Sequence, residues 1–252
     1  MNKEDIQEAS KILFEHRLNK TGLTSLKNLE PQTIDEAYAI QDNLKLRYLE
    51  LKDNTCIGKK IGATSLTAQE VLNMEEPFYG NLYSRYSLVN AKKLNAKNFF
   101  EPYAEPEISF RIKEDIDLLL DGLVCSIEIN DFRFAKPLPE IGARNVISTN
   151  GASEFWLRNE KIYNINDVNL NDLEVTLFID NKIMDSGNTK NVLNNPLNAV
   201  LWLINNLAKK GEVLLKGQFI SSGSCTKPSK IYSGNHIKAQ FEGLGDIEFQ
   251  FI

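Results

Sequence analysis

The hydrophobic pattern of this 252-residue chain changes its period near residue 55, and that change limits the folds open to it. Before the change, apolar residues recur at helical spacing. Ile6, Ala9, Leu13 and Phe14 share one face of a helix expected over about 3–18. A second helix opens at Thr33-Ile-Asp-Glu36, a capping-box pattern, and Ala37, Ile40, Leu44 and Tyr48 continue its apolar face. Beyond residue 55 the period is two. Ile108, Phe110 and Ile112 alternate with Glu107, Ser109 and Arg111, and Leu173, Val175, Leu177 and Ile179 alternate with Glu174, Thr176 and Phe178. The runs 237–241 and 247–251 repeat the pattern, and Asp180-Asn181-Lys182 reads as a hairpin turn. One helix interrupts the strands, with Asn195 as N-cap, Pro196 in its first turn and Gly211 beyond its end. The chain therefore reads as α+β: a helical N-terminal subdomain over 1–55 and a β-rich domain over 56–252 with one or two helices.

Composition removes several classes of function. With 42% hydrophobic and 25% charged residues the chain is neither disordered, collagen-like nor a coiled coil. Lys plus Arg is 29 against 34 for Asp plus Glu, a net charge of −5 with no basic run, which argues against nucleic acid as a partner. The most apolar stretch, 118–129, is broken by Asp121, Gly122, Ser126 and Glu128, and the first residues lack the apolar core of a secretory signal. No membrane partner is expected. Cys56, Cys125 and Cys225 are odd in number, far apart and without CxxC spacing, as in a cytoplasmic protein with reduced thiols. His16 and His236 are the only histidines, leaving little room for histidine chemistry.

Glu105-Pro-Glu107 is the most informative cluster. In a strand, side chains two apart project from one face, so both carboxylates enter one space. Glu128, between Ile127 and Ile129, would add a third if its strand neighbours the first. Three hard oxygen donors without His or Cys suit Mg²⁺, Mn²⁺ or Ca²⁺. The same spacing also suits a solvated strand face, and spacing alone leaves both open. Lys60, in Ile57-Gly-Lys-Lys-Ile-Gly-Ala-Thr-Ser65, stands between glycines that let a ligand approach the backbone, but the run is not a phosphate loop. Asn150-Gly-Ala-Ser153 and Ser222-Gly-Ser224 read as a turn and a bend.

Taken in register, these segments resemble the 2-keto-4-pentenoate hydratase and 4-oxalocrotonate decarboxylase family of the fumarylacetoacetate hydrolase superfamily. Glu36-Ala-Tyr-Ala-Ile-Gln41, Lys60-Ile-Gly-Ala-Thr-Ser65, Glu76-Pro-Phe-Tyr-Gly80, Glu105-Pro-Glu-Ile-Ser-Phe110, Ile127-Glu-Ile129, Asn150-Gly-Ala-Ser153, Asn195-Pro-Leu-Asn-Ala199 and Glu242-Gly-Leu-Gly245 follow the family's order. The resemblance implies a mixed, curved β-roll with a small helical N-terminal part. It implies Mg²⁺ or Mn²⁺ held by Glu105, Glu107 and Glu128, and a 2-oxo or 2-hydroxydienoic acid chelating that metal. Lys60 would hold the substrate carboxylate or donate a proton, and Ser153 and Gly223 would contact the substrate. Where the family carries an Asp in its "PDFG" segment this chain has Phe78, and where "ADNGAS" carries one it has Thr149. Glu75 or Glu76 is then the candidate replacement for the missing acid, with Glu76 the one expected to be catalytic. The implied activity is that of a metal-dependent lyase, a hydratase of a small 2-hydroxy-2,4-dienoate or 2-oxo acid such as 2-keto-4-pentenoate. The implied setting is aromatic catabolism in a cytoplasmic homo-oligomer. A 2-oxo-diacid decarboxylase and a non-catalytic binding subunit remain the alternatives.

Overall fold

The computed structural model of the protein describes residues 1–113 and 120–252, so Leu118 and Leu119 of the apolar run 118–129 lie outside the described residues. Two helices open the chain, α1 (Lys3–Asn19) and α2 (Ile34–Leu49). Asn2 caps α1 by accepting from the Asp5 N–H, and Thr33 caps α2 by accepting from the Glu36 N–H at 3.1 Å. The Glu36 carboxylate turns back to the Gln32 N–H at 2.7 Å and to the N-terminal amine. There follow β1 (Cys56–Gly62), α3 (Leu66–Leu72), β2 (Phe78–Tyr83), β3 (Ser87–Val89), β4 (Lys93–Leu94), β5 (Pro102–Ile112) and β6 (Leu120–Asp131). The rest comprises α4 (Leu138–Ser148), β7 (Ser153–Arg158), β8 (Glu174–Ile179), β9 (Lys182–Asn188), α5 (Pro196–Lys209), β10 (Phe219–Ser224), β11 (Ser229–Lys230), β12 (His236–Phe241) and β13 (Gly245–Phe251).

Among the described residues the body thus holds three helices rather than one or two. α3 spans only seven residues behind its Ser65 cap, too short to display a period. α4 carries Pro139 near its start and a non-helical Gly142 inside, which obscure its apolar face.

Among the described residues the larger sheet has eight strands, in the order β2-β1-β10-β5-β6-β7-β3, with β11 also paired to β5. It is mixed: β1 runs parallel to β10 and β3 to β7, while the other pairs are antiparallel. A second sheet, β4-β13-β12-β8-β9, turns the alternating residues Val175, Leu177, Ile237, Ala239, Phe249 and Phe251 into the core. Asp180 and Asn181, both with positive φ, make the expected tight turn between β8 and β9. The apolar faces of α1 and α2 join the same core as the strands. Buried Arg17 of α1 fastens them, with Nε 2.9 Å from the Glu154 carboxylate on β7 and its guanidinium over the rings of Tyr48 and Tyr86. No described helix is long and apolar enough to cross a membrane.

Candidate metal centre

The antiparallel register of β5 on β6 sets Glu105 directly opposite Glu128 and Glu107 opposite Ser126. One carboxylate oxygen from each of Glu105, Glu107 and Glu128 lies within 4.8 Å of the others. Like charges facing each other across a strand pair repel, so this arrangement is costly without a cation. Glu107 and Glu128 are fully buried. Among the described residues, Glu107 Oε1 and both Glu128 oxygens have no hydrogen-bond partner. Ser221 Oγ and the Gly223 N–H donate to Glu107 Oε2, the latter at 3.3 Å, and Asn130 Nδ2 donates to Glu105 Oε1.

Lys60 of β1 supplies the positive charge. Its Nζ is 3.2 Å from Glu128 Oε2, an ion pair sealed from solvent rather than a directed hydrogen bond. Burial works against that charge, but Glu128, Glu105 and Glu107 outweigh it and hold the ammonium above its usual range. Burial, reinforced by Glu128, pushes the Glu105 carboxyl up to about 7, against the pull of Lys60 and Asn130. The same two causes raise Glu107 well above the usual carboxylate range. Fully ionised, three carboxylates and one ammonium leave two uncompensated negative charges, which one divalent cation balances. Orphaned oxygens converging from three acids, all hard donors, fit Mg²⁺, Mn²⁺ or Ca²⁺.

Beside the cluster lies a cavity of about 110 Å³ lined by Lys60, Phe78, Glu105, Asn130, Gly151 and Ser224, among others. Phe78, buried opposite Gly62, sets its ring centroid 5.3 Å from Lys60 Nζ. A Cβ at Gly62 would fall 2.3 Å from that ring, and one at Gly151 would fall 2.8 Å from the ring and 3.0 Å from Lys60 Cε. Gly151 is the centre of a left-handed run, Asn150, Gly151 and Ala152. The Asn150 side chain holds this run against β2 by bonding both the N–H and the carbonyl of Asn81, at 2.7 and 2.9 Å.

Lys60, Glu105, Glu107 and Glu128 therefore meet. Gly223 does not line the cavity: its N–H goes to Glu107, and at φ +110° its missing side chain admits Thr64. Ser153 is buried at the start of β7 opposite Asn130, also off the cavity wall. Glu76 is carried away. It precedes β2, is exposed, and accepts from Trp202 Nε1 at 3.2 Å across a separate groove. Glu76, expected as a catalytic residue, does not stand beside the three clustered acids, because β2 begins at Phe78 and it is Phe78 that turns inward. Thr149 closes α4, with Oγ1 donating to the Val146 carbonyl. Sequence reasoning passed over Asn130 and Ser221. The first was within reach, since it stands two residues past Glu128 on the same strand face. The second is 114 residues from Glu107 and arrives only through the register of β10 on β5.

No family model matches the chain. Curated relatives match it nearly end to end. It is 25% identical to a 4-oxalocrotonate decarboxylase of Pseudomonas putida over 263 residues, covering 100% of this chain and 98% of the relative. A 2-keto-4-pentenoate hydratase of Paraburkholderia xenovorans is also 25% identical, over 262 residues that cover 100% of this chain and 96% of that one. The structure of a 4-oxalocrotonate decarboxylase from Pseudomonas putida G7, complexed with magnesium and adipate, has the same fold with a TM-score of 0.91, at 24% identity over 100% of this chain and 99% of that one. The chain is similar to this hydratase and decarboxylase family along its whole length. The fold is shared with a fumarylpyruvate hydrolase from Pseudomonas aeruginosa in complex with Mn²⁺ and pyruvate, with a TM-score of 0.61 and 10% identity over 81% of this chain and 93% of that one. Lys60, Phe78 and Glu105 line the cavity, and Glu107 and Glu128 lie within reach of Glu105.

Proposed function

We propose that the protein is a Mg²⁺- or Mn²⁺-dependent carbon–oxygen lyase, hydrating a small 2-hydroxy-2,4-dienoate or 2-oxo acid such as 2-keto-4-pentenoate. The observation that carries this reading is the convergence of three buried, incompletely partnered carboxylates on Lys60 beside a small cavity. Glu105, Glu107 and Glu128 would hold the ion, which when bound supplies a Lewis acid for the 2-oxo acid end of the substrate. Asn130 and Ser221 fix the orientations of Glu105 and Glu107, as partners behind metal ligands do. Lys60 borders the cavity and is placed to hold the substrate carboxylate or to deliver a proton. Gly223 acts through Glu107, and Ser153 supports Asn130 from the next strand.

Decarboxylation of a 2-oxo diacid is the second reading, and one observation favours it. Among the described residues Glu105 is the only carboxylate lining the cavity, and Phe78 fills the position where the family carries an acid. A reaction that releases CO₂ needs no water-activating base there. Following diene absorbance in Mg²⁺ with 2-hydroxypentadienoate tests hydration, and CO₂ release from a 2-oxo diacid tests decarboxylation. Failure of both would sink the catalytic reading. The same reading makes the protein a cytoplasmic homo-oligomer in aromatic catabolism. Buried free thiols at Cys125 and Cys225 support the compartment, and exposed Leu66, Leu201 and Val213 support contact with further copies.

A further inference from the structure

Inward of the metal acids, the same face of β5 turns from carboxylates to hydroxyls. Ser109 follows Glu107 by one pleat, about 7 Å along the strand. Ser221 of β10 stands opposite Ser109 in register, and Ser126 of β6 stands opposite Glu107. All three serines are fully buried, with Ser109 Oγ 2.8 Å from Ser221 Oγ and 2.7 Å from Ser126 Oγ. A fourth strand closes the group. Trp156 of β7 pairs with Glu128, which puts its side chain on the face of the acids, and its Nε1–H donates to Ser109 Oγ at 3.3 Å. The indole packs on Phe219 with centroids 5.1 Å apart, and the two rings join Leu82 and Val124 in a small buried apolar cluster. Phe219 and Val124 stand two residues before Ser221 and Ser126 on their strands, so this cluster floors the hydroxyls.

The ends of the network fix its direction. An indole N–H can only donate, and a metal-bound carboxylate can only accept. Ser221 donates to Glu107 Oε2, which commits its one proton, so between Ser109 and Ser221 it is Ser109 that donates. Ser109 in turn accepts from Trp156. We propose that Trp156 and Ser109 are positioning residues for the metal ligand Glu107, acting through a one-way chain of donors from Trp156 to Ser109 to Ser221 to Glu107 Oε2. The chain holds that oxygen and leaves Oε1, which has no partner, for the cation. Ser126, with the Glu107 carbonyl also in reach at 3.2 Å, is the one member free to choose its acceptor. In a dry interior, bonds in such a series polarise and strengthen one another. Every member is buried, so the chain carries orientation and not a proton to the surface. This assignment rests on the metal reading above.

The test is Mn²⁺ affinity by calorimetry for the wild type, Ser109→Ala, Trp156→Phe, Ser221→Ala and the two double variants that contain Ser221→Ala. Ser109→Ala should weaken Mn²⁺ binding about three- to tenfold, the scale of one net hydrogen bond, and Trp156→Phe by about twofold or more. Links in series fail together. On the Ser221→Ala background, each of the other two substitutions should therefore change the affinity by less than about twofold. Ser222→Ala is the control, since it removes a neighbouring buried hydroxyl that donates instead to the Ile108 carbonyl; its affinity should stay within about twofold of wild type. A merely structural role predicts losses that persist on the Ser221→Ala background, or that Ser222→Ala shares. Either result, or wild-type affinity in Trp156→Phe, would overturn the chain and leave the metal reading standing. Should Ser109→Ala not fold, Trp156→Phe and its double variant decide the matter alone. A wild-type protein that binds no Mn²⁺ would overturn the two together.

Discussion

Glu107→Gln separates what the carboxylate cluster does for metal binding from what it does to stability. Glu107 is fully buried, and its Oε2 is held by Ser221 and Gly223. A glutamine carbonyl can accept both of those bonds, so the side chain keeps its place while its amide faces the remaining two acids. The energy scale comes from its neighbour. A carboxyl that titrates near 7 rather than at 4.5 is destabilised by about 3 kcal/mol in its charged form. Removing one charge from the trio relieves part of that, on the order of 1–3 kcal/mol in metal-free protein at pH 8. For a chain of this size that raises the melting temperature by roughly 2–4 °C per kcal/mol. Metal affinity moves the other way. Loss of a charged ligand should exceed the roughly 10–100-fold cost of losing an outer-shell partner. Calorimetry with Mn²⁺ and thermal denaturation in a chelator read the two effects separately. A variant that binds Mn²⁺ within threefold of wild type, or that melts lower than wild type without metal at pH 8, would refute the reasoning.

The pH dependence of Glu105→Gln follows from linkage. Burial and Glu128 raise the Glu105 midpoint to about 7, so the native state holds a proton that the unfolded chain releases, and stability falls as pH rises from about 4.5 through 7. The stability gain of metal-free Glu105→Gln over wild type, from urea denaturation, should therefore grow by about 3 kcal/mol between pH 5 and pH 8; a constant difference would contradict it. Phe78→Asp should raise the hydration rate of 2-hydroxypentadienoate by about 10² or more, since it restores a proton-transfer partner beside Lys60, and an unchanged decay of diene absorbance would show that water is activated elsewhere. Lys60→Met strips Glu128 of its ion pair, so metal-free stability at neutral pH should fall by about 3 kcal/mol, a loss that saturating Mg²⁺ should shrink; equal losses with and without metal would count against the site. Arg17→Met should cost about 3–5 kcal/mol by breaking the buried contact with Glu154, while Mn²⁺ affinity stays within about threefold; a stable variant would show that the helical part is not held by this pair.

The sequence by itself determined what depends on a residue and its close neighbours. Periodicity marked α1, α2, α5 and the alternating strands, and the two-residue repeat put Glu105 and Glu107 on one face, because the pleat alone dictates that. The same local rule puts Asn130 on the face of Glu128, two residues along the same strand. Only tertiary structure decided the rest. Whether Glu128 faced the other acids depended on β6 pairing with β5 in one register, and a slip of one residue would have turned it to the opposite face. Ser221 meets Glu107, and Lys60 meets Glu128, through strands brought together from distant parts of the chain. Glu76 and Phe78 are two residues apart, yet one faces an outer groove and the other the cavity, because the strand begins between them. α4 stayed hidden because its prolines and Gly142 erase the helical pattern, and packing rather than propensity holds it. Periodicity is written into each stretch of backbone, whereas register is a property of two stretches, settled by the burial they achieve together.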